Sequence, residues 1–309
     1  MSPSSHALRD QLLAPPVPMT RGTGDKPVAA AKLLGAHLRN LRLERGLAIK
    51  DVAPVIRASI SKISRMERGE NMPSERDVWD LVKLYGVDDA HRRWEIGDLL
   101  RQVKAPVWWQ QYSDLTPGWL RRLIGLEDSA QEIRTYEMIV VPGLLQTPAY
   151  TRAVVKAGLP NASPQEIERR VQLRMERQRV LSGPGAPKLR VLLDESVLQR
   201  PRGGAEVMVE QLKYLKRMAL RPGITIRIVR FVRAANITPP TPITYMKFAV
   251  GGLPEMVYLE HAGNAVYLND PNDLLAHRLI LDELAGAAES RTSTIALLDK
   301  AIADFSSTI

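Results

Sequence analysis

Apolar residues recur at helical spacing through the first third of the chain, and then give way to a mixture of alternating and helical patterns. Leu34, Leu38 and Leu41 predict a first helix over about Ala31 to Arg45, stopped at Gly46. Val52 and Ile56 form the inward side of a short second helix, Ile49 to Ile56, with Lys50 and Asp51 outward. A third begins behind Ser59, whose hydroxyl suits an N-cap. Ile63 and Met66, with Glu67, mark its inner face, leaving Ile60, Ser61, Ser64, Arg65 and Arg68 outside. Ser74 opens a fourth, with Val78, Leu81, Val82 and Tyr85 inward and Asp77 three residues after the cap. A fifth, about Asp88 to Lys104, carries Trp94, Leu99, Leu100 and Val103 and is expected to leave the bundle as a strut.

Beyond Ala105-Pro106 the pattern changes. Trp108, Trp109 and Trp119 crowd together, and Thr116-Pro117 reads as a helix start. Strands are predicted over Glu132 to Val141, Lys188 to Asp194, Ile224 to Val232, Ile243 to Val250, Met256 to His261 and Ala265 to Leu268. Between them lie helices after Thr147-Pro148, from Ser163-Pro164 to about Leu181, and over about Ala205 to Leu220. Asp270-Pro271 starts another, and a last one reaches Asp304. The predicted fold class is a mainly α, five-helix N-terminal bundle followed by an α+β (or α/β) domain. The expected divisions are a flexible arm over 1–30, the bundle over 31–104 and the second domain over 105–309.

Composition narrows the function. There is no cysteine among the 309 residues, which excludes disulfides, thiolate metal sites and cysteine nucleophiles. The five histidines show no metal-ligand spacing, so no metal and no cofactor is expected. No run approaches a membrane span and the N-terminus lacks a signal pattern, so a cytoplasmic protein with no membrane partner is expected. The net charge of +9 is unevenly spread. Lys32 to Arg68 holds nine Lys and Arg against three acids, whereas Gly251 to Ile309 holds three against nine. A short helix with an apolar inner stripe, a Ser- and Arg-bearing outer face and a capped N-terminus suits the major groove of double-stranded DNA.

The run SISKISRMERG, preceded by LGAHLRNLRLERGL and followed by NMPSERDVWDLVKLYGV, resembles the helix-turn-helix of lambda-repressor-like (xenobiotic-response-element) transcription factors. That resemblance implies a buried ion pair between Arg42 and Glu67. It also implies base contacts from Ile60, Ser61 and Arg65, and phosphate contacts from Arg68 and Asn71; Ser64 is expected to add a short polar contact to DNA, as Ser61 does. Two positions depart from the pattern: Ile49 stands where a phosphate donor is usual, and Arg57 where the turn favours Gly. VWWQQYSDLTPGWLRRLIGLEDSAQEIRTYEMIVVPGLLQTPAYTRAVV, with ERRVQLRMERQRVL and MVYLEHAGNAVYLNDPNDLLAHRLILDELAGAAES, is similar to the domain that follows the helix-turn-helix in WhiJ-like regulators of actinobacteria. This implies a transcriptional regulator, and in antitoxin-like or developmental modules a small protein partner.

Other residues carry two readings each. Trp108, Trp109 and Trp119 line a ligand or partner pocket, or else form the joint between domains. Pro142 to Thr147 is a binding loop or a turn that fixes a strand against a helix. Glu260 and His261 are a candidate acid–base pair, but neighbours on a strand point to opposite faces. The Arg-rich face from Arg169 to Arg179 is a second DNA or partner surface, or a solvated helix face. Nucleophile elbow, dinucleotide fingerprint and phosphate loop are all missing, so no catalytic residue is expected. The expectation is a DNA-binding regulator acting as a homodimer, with effector or partner binding in the second domain. The alternative is an antitoxin-like interaction protein that mainly holds a small protein partner.

Overall fold

The computed structural model describes residues 26–70, 73–104, 107–183, 185–234, 236–248, 255–261 and 263–309. Most of the expected arm and the proposed phosphate contact Asn71 lie outside these. The first helix, α1, spans Lys26–Glu44, so it begins earlier than its leucines alone suggest, and Ala30 is already buried. Four helices follow: α2 (Ile49–Val52), α3 (Ile60–Glu67), α4 (Glu75–Leu84) and α5 (Ala90–Val103). The periodic leucines of α1 meet Val52, Ile63, Met66, Val78, Leu81, Ile96 and Leu100 in one core.

Local chemistry starts the helices where expected. Ser59 Oγ accepts from the Lys62 N–H at 3.1 Å, and Ser74 Oγ from that of Asp77 at 3.1 Å. Helix α2 is shorter than predicted and gives way to turns from Ala53, beside Pro54, which supplies no backbone donor. The chain then reverses at Arg57, whose φ of 55° is the left-handed backbone that the missing glycine would otherwise have supplied. Helix α5 is no strut. It lies along α1 and buries Ile96, Leu100 and Val103, while Trp94 points to solvent.

The second domain opens with a 3-10 turn, Trp108–Tyr112, and helix α6, Gly118–Ser129. Thr116 does not cap α6; its hydroxyl donates to the Tyr112 carbonyl instead. Six strands form one mixed sheet: β1 (Glu132–Glu137), β2 (Lys188–Asp194), β3 (Ile224–Val229), β4 (Ile243–Lys247), β5 (Met256–His261) and β6 (Asn264–Leu268). Their order is β3-β2-β1-β4-β5-β6. The β1–β2 and β2–β3 pairs are parallel and the other three antiparallel, so the domain is α+β.

Helices α7 (Pro148–Gly158) and α8 (Pro164–Arg177) make the crossover from β1 to β2; α9 (Ser196–Gln199) and α10 (Ala205–Ala219) make that from β2 to β3. A short α11 (Phe231–Ala234) precedes β4, and α12 (Pro271–Ala287) and α13 (Arg291–Ser306) end the chain. Parallel strands with helical crossovers bury both faces. Ile133, Leu189, Val191, Ile226 and Met246 pack on α10 and α13, and Tyr136, Leu192, Ile243, Tyr245 and Val257 on α12. Strand β1 is shorter than predicted, since the apolar residues Met138 to Val141 leave the sheet as bends that carry Val141 into the core. Likewise β3 ends at Val229, where the chain enters α11.

The two halves meet through α1, which touches α6 along one side and α3 along another. Gly35 makes the α1–α3 approach possible: a Cβ there would sit 2.6 Å from the Glu67 carbonyl oxygen. Behind α3, Arg42 and Glu67 form a buried two-pronged pair, Nε to Oε1 at 2.6 Å and Nη2 to Oε2 at 2.9 Å. Arg42 Nη1 also donates to the Leu47 carbonyl at 2.7 Å, which ties the pair to the start of the turn before α2. Removing one partner leaves a buried charge uncompensated. Arg42→Ala is therefore expected to destabilise the bundle by about 3–5 kcal/mol, and replacement of both residues by apolar ones of similar volume to cost far less. Urea unfolding of the two variants checks this.

Candidate functional site

Two surfaces carry chemistry. The first is the outer face of α3. Ile60, Ser61 and Arg65 are exposed, and nothing in the described chain covers the N-terminal turn on which Ile60 and Ser61 stand. Among the described residues the Arg65 side chain has neither ion pair nor hydrogen bond, and it stands one turn after Ser61. Ser64 and Arg68 are engaged differently. Arg68 forks onto Glu70, with Nε to Oε1 and Nη2 to Oε2 both at 2.9 Å, and its remaining nitrogen donates to the Ser64 hydroxyl. The free donors on this face are thus Ser61 and Arg65, and the Arg68 charge is balanced within the chain.

Glu70 stands at the joint between the halves. Its carboxyl is held below the usual range chiefly by the Arg68 hydrogen bonds, with the Arg122 and Lys32 charges assisting. Lys32 is buried under the closing turn of α3, and burial, aided by Arg122, pulls its ammonium down to about 8. Arg122, on α6, lies over the ring of Tyr267 at 4.1 Å. Tyr267 in turn packs against Tyr258, centroids 5.2 Å apart, and donates to the Trp119 carbonyl at 2.6 Å.

Tyr258 belongs to the wall of the second surface, a cavity of about 380 Å³. It lies over one face of three neighbouring strands. Ile133, Thr135 and Glu137 alternate along β1, Thr244 stands opposite Thr135, and Tyr258 and Glu260 alternate along β5. The exposed Glu260 and His261 at the end of β5 mark the mouth. Adjacent on a strand, those two do not act as a pair; Glu260 accepts from the Tyr258 hydroxyl at 2.7 Å.

The opposite wall comes from α8 and from the loop Pro142 to Gln146. That loop is both a fixed turn and part of the cavity lining. Gln146 Nε2 donates to the Val141 carbonyl at 2.6 Å, Thr151 donates to Gln146 Oε1, and Gln178 bridges the carbonyls of Gly143 and Gln146. From below, the fully buried Gln211 accepts from the Thr147 N–H and donates to the Leu145 carbonyl, both at 2.7 Å. The wall is set before any ligand arrives.

The Arg-rich face of α8 is not simply solvated. Arg169 pairs with Asp114 and Arg170 with Glu166 near the surface, but Arg174 and Arg177 turn into the cavity. Arg177 grips Glu127 through two bonds of 2.5 and 2.6 Å. Burial works against its charge, and the Glu127 carboxylate more than restores it, so the guanidinium is raised above its ordinary value. Arg174 reaches only the neutral Gln146 Oε1, at 2.7 Å; burial and the neighbouring Arg177 bring it down to about 10. Glu137 is pushed up to about 8 by burial and by the Glu260 charge. Its carboxyl is therefore mostly protonated at neutral pH.

The tryptophans do not line this cavity. Trp108 and Trp109 meet edge to face at 5.5 Å in a small cluster with Tyr112, Leu115, Ile124 and Leu173, and Trp119 packs separately against the main core. Local pattern marked several of its residues separately, in the Pro142 to Thr147 loop, at Glu260 and His261 and on the Arg-rich face of α8, but not that they share one cavity. The Glu137–Glu260 approach is created by strand order, and the Glu127–Arg177 pair by the packing of α6 near α8. Among the described residues there is no cluster of candidate metal ligands and no helix long and apolar enough to cross a membrane.

Residues 33–94 match the family described as a helix-turn-helix domain, and residues 120–300 match that described as a domain of unknown function, DUF5753. The HTH-type transcriptional regulator DdrOP3 of Deinococcus deserti is 30% identical over 147 residues, covering 47% of this chain and 95% of that protein. No solved structure matches. With α3 exposed in a helix-turn-helix and the mixed-sheet domain behind it, the chain belongs to the DUF5753 family and is a DNA-binding, helix-turn-helix transcriptional regulator.

Proposed function

We propose that α3 enters the major groove and that the protein works as a homodimer on an inverted repeat, under the control of a small molecule held in the second domain. The observation that carries the groove reading is the free Arg65 and Ser61 pair on an exposed helix end, held from behind by Arg42 and Glu67. Arg65 suits the O6 and N7 of guanine, Ser61 a short polar contact, and Ile60 a thymine methyl. In a dimer the two α3 helices would lie one DNA turn apart, roughly 34 Å. Exposed Leu275 and Leu279, one turn apart on α12, with Phe231 and Val232 on α11, supply an apolar surface for the second copy. The same surface supports the runner-up, an antitoxin-like module in which a small protein partner takes that place.

Regulation from the second domain is supported by a continuous line of contacts. Tyr258 in the cavity wall touches Tyr267, Arg122 stacks on Tyr267, and the Arg122 charge reaches the Glu70 that restrains Arg68. Two of the cavity's three acids are committed to structure, Glu127 to Arg177 and Glu260 to Tyr258, and with no nucleophile beside the third, Glu137, among the described residues, a sensor is favoured over a catalyst.

Selection of bound sequences from a random DNA pool at stated salt is expected to return an inverted repeat; an unstructured or single-site consensus would remove the dimer. Arg65→Ala is expected to cost about 1–3 kcal/mol and to relax one base position. If it weakens every sequence equally, Arg65 is not a base reader. Glu70→Gln is expected to free Arg68 for phosphate, tightening all sequences alike and steepening the salt dependence by about one ion in anisotropy titrations. An unchanged salt slope would place Arg68 off the DNA.

A further inference from the structure

One guanidinium in the cavity has no carboxylate in contact with it, although the Glu260 and Glu127 charges reach it through space. Arg177 is paired with Glu127, and Glu260 is occupied by the Tyr258 hydroxyl. Arg174 has no carboxylate within ion-pair distance among the described residues, and its only recorded partner is the Gln146 side-chain oxygen. A guanidinium has five donors in a planar fork that matches a carboxylate. Its fork opens on the cavity beside Arg177, where an anionic head could take donors that Gln146 does not use.

We propose that this cavity binds a small amphipathic carboxylate, its head on Arg174 and its tail along Leu123, Ile133, Val141 and Leu144. This rests on the sensor reading of the second domain and names the chemistry of what is sensed. Glu137 assists as a neutral acid, donating a hydrogen bond to the incoming head. Facing Glu137 are Tyr258, Glu260 and His261 on β5, Arg174 and Arg177 on α8, and Glu127 on α6. Their acids and bases are otherwise matched, so the protonated Glu137 keeps the site from accumulating a second negative charge. The sign follows: its folded value is raised to about 8, so affinity for an anion is full below that pH and declines as pH rises through it.

Calorimetric titration of the full chain, without DNA, with octanoate, octylamine and octanol tests this, because the three share a tail and differ in the head. Octanoate is expected to bind at least about tenfold tighter than the other two, and Arg174→Gln to remove that preference. Glu137→Gln keeps octanoate binding but abolishes its decline above pH of about 8. Thermal unfolding of each variant shows that it is folded; Gln146 retains Thr151 and Val141 as partners when Arg174 is replaced. Preference for octylamine or octanol overturns the carboxylate while leaving a sensor in place, and binding of none of the three overturns it outright. Neither result touches the reading of DNA by α3, which the sequence selection decides.

Discussion

Helix α1 is the constraint on which the rest depends, because one short length of it is shared by every part of the molecule that matters. Its leucines build the bundle core, its Gly35 admits α3, its Arg42 anchors Glu67, and its outer side lies on α6. A rigid rod packed on several sides has few ways to move without breaking one contact to keep another. The same helix thus backs both α6 and α3. Burial of Lys32 at that seam, with its ammonium already weakened, shows how tightly the seam is closed.

Opposite charges are used in two distinct ways. Arg42–Glu67 and Arg177–Glu127 are desolvated, forked pairs whose worth lies in fixing geometry more than in net stability. Arg68–Glu70 is exposed and labile, and exposed pairs contribute little free energy, so it can yield to a stronger anion such as a phosphate. Arg174 falls in neither class. It touches a neutral amide, and the Glu260 and Glu127 charges act on it from further off.

Much of the fold was legible because its signals are local. Ser59, Ser74, Thr147, Ser163 and Asp270 cap their helices with the residue types that local pattern demands, and the inner stripe of α3 follows from spacing. The outer face of that helix was readable for the same reason. What local pattern missed depends on long-range pairing. Arg174 and Arg177 look like solvated positions on α8 until the β1–β4–β5 face is laid beneath them, and Glu137 and Glu260 are brought together from 123 positions apart only by strand order. Trp94 failed in the other direction, since an aromatic at a helical position need not face inward. Arg68 was legible as a cation but not as one already held by Glu70.

The sheet order also bears on how the chain reaches its native form. Glu132 of β1 pairs with Lys247 of β4, a closure spanning most of the second domain, whereas the bundle is assembled from neighbouring helices. Loop-closure entropy and vectorial synthesis both favour the early helices, so the bundle is expected to acquire protection from hydrogen exchange before β1 finds its antiparallel neighbour. A nascent chain would then carry a finished α3 while the cavity was still unmade, so the first half ripens ahead of the second.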